Sequence, residues 1–256
     1  MLYKSTSLTG YKLNGLDGDI GKVKEFYFDD SYWTVRYLVA DTGNWLEGRQ
    51  VLITPRSMVA VNDEEQSITI DLTKKQIEDS PSLESDKPVS RQFEENYYGY
   101  YGLDSYWNDP NRMGAEPVDE QDNDLSRESA QYQNTWDPNL RSTGDMRGHN
   151  IQASDGEIGY VEDFIIEDKT WVIRYLIINT RNWWPGKKVL ISPQWVERVS
   201  WTDSNVYVNM LRDSIKNSPE YSEESLITRE FEADLYHHFN LKEYWVDDPT
   251  DDDDSQ

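Results

Sequence analysis

Cysteine is absent from the chain. That excludes disulfides, thiolate metal sites and a cysteine nucleophile. Histidine is scarce, with His149, His237 and His238 the three present. A metal site wants several converging ligands, and two adjacent residues on a helix point to different faces. Tyr11, Gly99 and Tyr100 stand at the corresponding positions of the repeat described below, so no histidine is duplicated. Long apolar runs are missing too. No stretch approaches the ~20 apolar residues of a membrane span, and Met1 to Thr6 carry no run of signal-peptide length. The expectation is a soluble cytoplasmic protein without a membrane span.

Recognisable catalytic patterns are also missing. There is no G-x-S-x-G elbow, no Walker sequence and no dinucleotide glycine pattern. The acid pair Asp29-Asp30 falls in a predicted turn, which is poor ground for a general acid–base dyad. The sequence therefore predicts no enzyme, no cofactor, no metal and no catalytic residue. Positive charge is short as well: 25 Lys and Arg stand against 49 Asp and Glu, a net charge of −24. Phosphate-backbone binding depends on basic residues displacing counterions, so direct nucleic-acid binding is not expected. Anionic lipid surfaces are repelled by the same field.

Aromatic residues are plentiful, at 13% with 10 Trp and 17 Tyr, which a disordered chain would lack. They belong to an internal repeat. Asp17-Gly18-Asp19-Ile20-Gly21 returns as Asp155-Gly156-Glu157-Ile158-Gly159, and Trp33 to Leu38 returns as Trp171 to Leu176. Val51-Leu52-Ile53-Thr54-Pro55 returns as Val189 to Pro193, Arg91-Gln92-Phe93-Glu94 as Arg229 to Glu232, and Tyr106-Trp107 as Tyr244-Trp245. One offset fits all five pairs without a gap, so a domain has been duplicated. The expected divisions are copy 1 at 1–108, an acidic polar linker at 109–139, copy 2 at 140–246 and an acidic tail at 247–256. The tail lacks the spaced ligands and glycine turn of an EF-hand loop.

Each copy reads as several short strands between Gly and Pro turns. Asp-Gly opens a hairpin. Strands follow at Ile20 to Phe28, Trp33 to Ala40, Val51 to Ile53 and Ser67 to Leu72, with their counterparts in copy 2. A short helical turn is expected at Lys74 to Asp79. Phe93, Tyr97, Tyr98 and Tyr101 then form the stripe of an amphipathic helix, repeated by Phe231, Leu235, Tyr236 and Phe239. Ser90 and Thr228 are candidate N-caps. The helix either covers an open barrel end or docks on the other copy. Copies this small have reason to bury surface on each other, and an intramolecular pseudo-dimer is expected.

These motifs together resemble the PRC-barrel domain family: the Asp-Gly-acid-Ile-Gly hairpin, the Trp-x-x-Arg-Tyr-Leu strand, Asn-Trp-x-x-Gly, and Val-Leu-Ile-[Ser/Thr]-Pro. The Phe-Glu helix and closing Tyr-Trp resemble the C-terminal extension of tandem bacterial members. The resemblance implies a mainly β fold of two small PRC-barrel-like β-barrels, each followed by a C-terminal amphipathic helix. The family includes the cytoplasmic part of the photosynthetic reaction-centre H subunit and the C-terminal domain of a ribosome-maturation factor. Its common thread is a barrel used as a protein-binding scaffold, so a protein partner is expected. Small-molecule or ion sensing, and a role in RNA or ribosome processing, are the alternatives. The candidate partner-binding residues are Arg36, Trp45, Arg174, Trp183 and Trp184. Arg36 and Arg174 are charges within apolar strands. Each is either a salt bridge to a neighbouring acid, with Glu25 and Asp163 the candidates, or an interface anchor. The three tryptophans lie in a predicted loop, as barrel plugs or as exposed hot spots.

Overall fold

The computed structural model describes residues 1–81, 89, 91–108, 140–180, 186–222 and 226–247. Fourteen strands and six α-helices are assigned among them, and the chain is mainly β. Two compact units emerge: unit 1 is Met1–Arg147 with Asp163–Arg174, and unit 2 is Gly148–Glu162 with Tyr175–Gln256. Unit 1 thus holds copy 1 together with two pieces of copy 2.

The elements of copy 1 are β1 (Leu2–Lys4), α1 (Ser5–Leu8), β2 (Lys12–Gly15), β3 (Gly18–Asp29), β4 (Thr34–Asp41), β5 (Gln50–Ile53), β6 (Met58–Asn62), β7 (Ser67–Ile70), α2 (Lys74–Glu78) and α3 (Arg91–Tyr101). Hydrogen bonding runs in the order β5-β4-β3-β2-β7-β6. The predicted strands are present within one or two residues. The long hairpin β3–β4 carries the core: Ile20, Val23, Phe26, Phe28, Val35, Tyr37 and Val39 are all buried. Register shifts between Val23 and Glu25 and between Tyr27 and Phe28 mark bulges, which explains why the buried residues of β3 do not keep a strict period of two. Gly21 is required by close approach, since a Cβ there would lie 2.1 Å from the Asp41 carbonyl oxygen. Gly159 meets Asn179 in the same way at 2.2 Å.

Helix α2 begins with a capping box between Thr73 and Gln76. The Asp17 carboxylate, from the Asp-Gly turn, accepts from Lys74 N at 2.7 Å and ties the hairpin tip to this helix. Helix α3 packs chiefly on its own copy, with Tyr97 and Tyr98 joining Tyr37, Val39, Leu52 and Tyr106 in one cluster that also takes in Leu140 of copy 2. Tyr97 OH donates to the Leu52 carbonyl at 3.1 Å. Ser90, the expected N-cap, lies outside the described residues.

Unit 1 also receives β8 (Leu140–Ser142) and α4 (Thr143–Met146) from copy 2, and the last residues of β10 (Gly156–Glu167). Strand β8 adds antiparallel to β3, with Asp29 opposite Leu140 and Tyr27 opposite Ser142. Strand β1 adds antiparallel to β10, with Glu167 opposite Leu2 and Ile165 opposite Lys4. Under the repeat offset these two ladders are the same ladder. Each copy's first strand is therefore paired with the other copy's long strand.

The remaining elements are β9 (Asn150–Ala153), β11 (Ile173–Asn179), β12 (Lys188–Ile191), β13 (Val196–Ser200), β14 (Asn205–Val208), α5 (Arg212–Asn217) and α6 (Arg229–Phe239). Their strand order is β12-β11-β10-β9-β14-β13, matching copy 1. In unit 2, Thr228 caps α6 by accepting from Phe231 N, as expected. Tyr236 of α6 packs edge-on to Trp195 at 5.1 Å. The helix covers its own copy here as well.

Candidate functional site

Arg36 leaves β4 between the buried Val35 and Tyr37 and is itself only 6% exposed. Its Nη2 donates to Asp29 Oδ2 at 3.3 Å. The guanidinium lies over the Tyr106 ring, 4.2 Å from the centroid, with Tyr32 farther off at 5.9 Å. Arg174 of copy 2 donates from Nε and Nη2 to one oxygen, Glu167 Oε2, at 3.2 and 2.7 Å. Both arginines thus pair with an acid on the adjoining long strand, but the acids are Asp29 and Glu167 rather than Glu25 and Asp163. The register decides this. Asp29 stands opposite Thr34, which puts it diagonal to Arg36 on the same face.

Glu25 and Asp163 hold the exchanged arms instead. Ser142 Oγ donates to Glu25 Oε2. Asp163 is buried and accepts Ser5 Oγ at 2.5 Å, the Thr6 hydroxyl, and Thr6 N at 3.3 Å. Arg147 Nη2 lies 3.5 Å from the same carboxylate. Burial pushes the Glu167 carboxyl up, but the Thr170 hydroxyl and the Arg174 charge and hydrogen bonds outweigh it, and the group stays below its ordinary value.

Trp45 sits in a 3-10 turn, Gly43–Leu46. Its Nε1 donates to the Ile20 carbonyl at 2.6 Å, and Lys74 Nζ approaches the ring centroid to 5.3 Å. The ring is half-buried against the start of β3. Trp183 and Trp184 lie outside the described residues, as do the expected linker and most of the tail.

Two sets of residues escaped the sequence reading. The first is the glutamate of the repeated Arg-x-Phe-Glu. Glu94 is fully buried. Its Oε1 accepts Tyr37 OH at 2.9 Å and Tyr106 OH at 3.0 Å. Glu232 is buried likewise and accepts Tyr175 OH at 2.7 Å and Tyr244 OH at 2.9 Å. One carboxylate thus joins strand, helix and closing Tyr-Trp in each copy. Burial, together with neighbouring tyrosines and Glu94, drives the Tyr37 hydroxyl well above its ordinary value. A retained acid inside an aromatic stripe was the available signal. The second set is Trp33 and Trp171, both in the left-handed region with φ of 50° and 59°. Trp33 accepts from Ile173 N at 2.7 Å, and Trp171 accepts from Val35 N at 2.9 Å. The bond is reciprocal, and all four residues belong to unit 1.

The PRC-barrel domain model matches the chain twice, at residues 3–77 and 141–214. More than half of the 256 residues are covered, and the chain belongs to the PRC-barrel domain family. Comparison with curated proteins gave no match. Among the described residues no helix is long and apolar enough to cross a membrane.

Proposed function

We propose that this protein is a non-enzymatic, cytoplasmic scaffold that works through protein–protein contact, with its two copies acting as an intramolecular pseudo-dimer. The observation that carries the reading is the reciprocal bond between Trp33 and Trp171, flanked by the matching ladders of β1 and β8. A contact in which residue i meets j and its counterpart j meets i is the mark of a twofold interface. Duplication then places two like surfaces on one chain, which suits bivalent binding. Charges retained in both copies serve the fold: Arg36 and Arg174 brace the long hairpins, and Glu94 and Glu232 fasten the helices. The net charge of −24 argues for a protein partner over nucleic acid.

The test is affinity capture of the tagged full chain from native lysate, with mass spectrometry. The scaffold reading expects a discrete set of protein partners, competed away by untagged chain. Recovery dominated by ribosomal proteins would move the reading to RNA processing. Recovery of nothing beyond the chain would overturn it in favour of a ligand sensor.

A further inference from the structure

The strands that end the two sheets are built differently. Strand β6 (Met58–Asn62) ends one sheet, and its counterpart β13 (Val196–Ser200) ends the other. Among the described residues, 58–62 make no backbone–backbone bond outside the ladder with β7. One side of β6 is therefore an unpaired row of donors and acceptors, which templates the addition of another strand. Proteins blunt such edges with bulges and with charge. Both copies carry the bulge, between Met58 and Ala60 and between Val196 and Arg198. Only copy 2 carries the charge. Its exposed residues there are Glu197 and Arg198, with Arg198 drawn over the Tyr207 ring at 3.5 Å. The same two positions in copy 1 are Val59 and Ala60, both exposed, Val59 to 65%. Ala60 stands opposite Thr69, and Thr69 opposite Asn14. Small uncharged side chains thus run inward from this edge.

The charges of copy 1 sit beyond the two ends of the strand instead. Arg56, just before β6, is exposed and donates to the Asp104 carbonyl at 3.3 Å. Glu64 and Glu65, just after it, are exposed. A base, an apolar middle and two acids in that order are self-complementary when two such segments run antiparallel. The basic end of each then meets the acidic end of the other, and the uncharged middles meet.

We propose that the β6 edge is a homodimerisation surface, and that its occupant is the β6 edge of a second copy of this chain, added antiparallel. The contact is isologous. Because charge guards β13, each chain offers one such edge and assembly closes at two. A five-residue edge is smaller than a standard interface, and two chains of charge −24 repel, so the dimer is weak and reversible. The proposal goes beyond the scaffold reading and does not need it to be right.

The test is sedimentation velocity of the full chain over a range of concentrations. The ionic strength is about 0.15 M, where screening over about 8 Å confines the repulsion to charges near the contact. Monomer is expected to pass reversibly to dimer and no further. Val59→Lys and Ala60→Lys, each placing a like charge in both middles, should weaken association at least about tenfold. Both positions are exposed, so unchanged melting at low concentration certifies the fold of each variant. Arg56→Glu should weaken the dimer as well, and adding Glu64→Arg, which returns the net charge to its original value, should restore it. A chain that stays monomeric up to about 1 mM, a dimer indifferent to Val59→Lys, or a charge exchange that restores nothing overturns the proposal. Each of these outcomes leaves the scaffold reading to its own capture experiment.

Discussion

Trp33 and Trp171 exchange the same main-chain bond within unit 1, each carbonyl accepting from the residue two past the other tryptophan, at 2.7 and 2.9 Å. Both pay for that carbonyl direction with a left-handed backbone, which is unfavourable for a bulky side chain. Burial offsets it: Trp33 is 7% exposed and stacks on Phe28 at 5.6 Å. Trp33→Ala is therefore expected to destabilise the chain by about 3–5 kcal/mol, the usual range for truncating a buried tryptophan. Urea denaturation of the full chain measures it. A loss below about 1 kcal/mol, the scale of an ordinary surface change, would show that the contact contributes little.

The buried glutamates give a graded prediction. Glu94→Ala leaves Tyr37 and Tyr106 hydroxyls without their acceptor, at about 1–3 kcal/mol for each stranded group. Glu94→Gln keeps an acceptor oxygen and should lose distinctly less. The same order is expected for Glu232. Melting temperatures of the four variants check this, and an equal loss for Ala and Gln would show that packing alone is involved.

Acid should weaken unit 1 through Glu167. Its folded carboxyl is held below the ordinary value near 4.5, against the upward push of burial, by Thr170 and Arg174. A depressed folded value means the contribution is complete above the ordinary carboxylate range and is lost as pH falls through the lowered value. Glu167→Gln should flatten the stability curve between about pH 5 and 3 relative to the unaltered chain. Parallel curves would show that other carboxylates carry the acid sensitivity.

Alkali should also weaken the fold, through groups shifted the other way. Burial first, then nearby Glu25 and Asp145, pushes Tyr27 up to about 12. Burial likewise takes Tyr101 to about 12, and Tyr37 and Tyr97 lie well above their ordinary value. Raised folded values stabilise fully below the unfolded value near 10 and lose that stabilisation as pH rises toward the folded ones. In an ultraviolet titration, fewer than the 17 tyrosines should ionise before unfolding, with the rest appearing together at the transition. Smooth ionisation of all of them in the folded chain would contradict the burial.

Much of this architecture was legible because aromatic and β-branched residues mark the strands of the long hairpins, and because the repeat pinned each element twice. Strand β6 was not seen: Val59 is 65% exposed, and a half-exposed edge strand leaves little apolar pattern. Strands β1 and β8 were missed since three residues carry no period at all. The expectation that Arg36 would meet Glu25 failed on register, which a bulge shifts by one residue and which sequence alone does not reveal. Glu94 was overlooked because an acid in an aromatic helix reads as the solvent face until the facing tyrosines are placed.

The reciprocal arms yield the most direct test of the pseudo-dimer. Leu2–Lys4 pairs with copy 2, and Leu140–Ser142 with copy 1. Both arms are anchored by buried residues beyond the strand: Ser5 and Leu8 in one, Thr143 and Met146 in the other. Cutting between the copies leaves every one of these contacts possible and removes only the tether. Association then becomes bimolecular and loses the effective concentration that a tether confers. Residues 1–108 and 140–256, expressed separately and mixed, are expected to form a complex whose melting temperature rises with concentration, as mass action demands. Each piece alone should melt lower or pair with itself, since a twofold contact is self-complementary. Trp33→Ala in the first piece should weaken the mixed complex. Pieces that remain monomeric, melt as the full chain does and ignore each other would show that the copies fold independently.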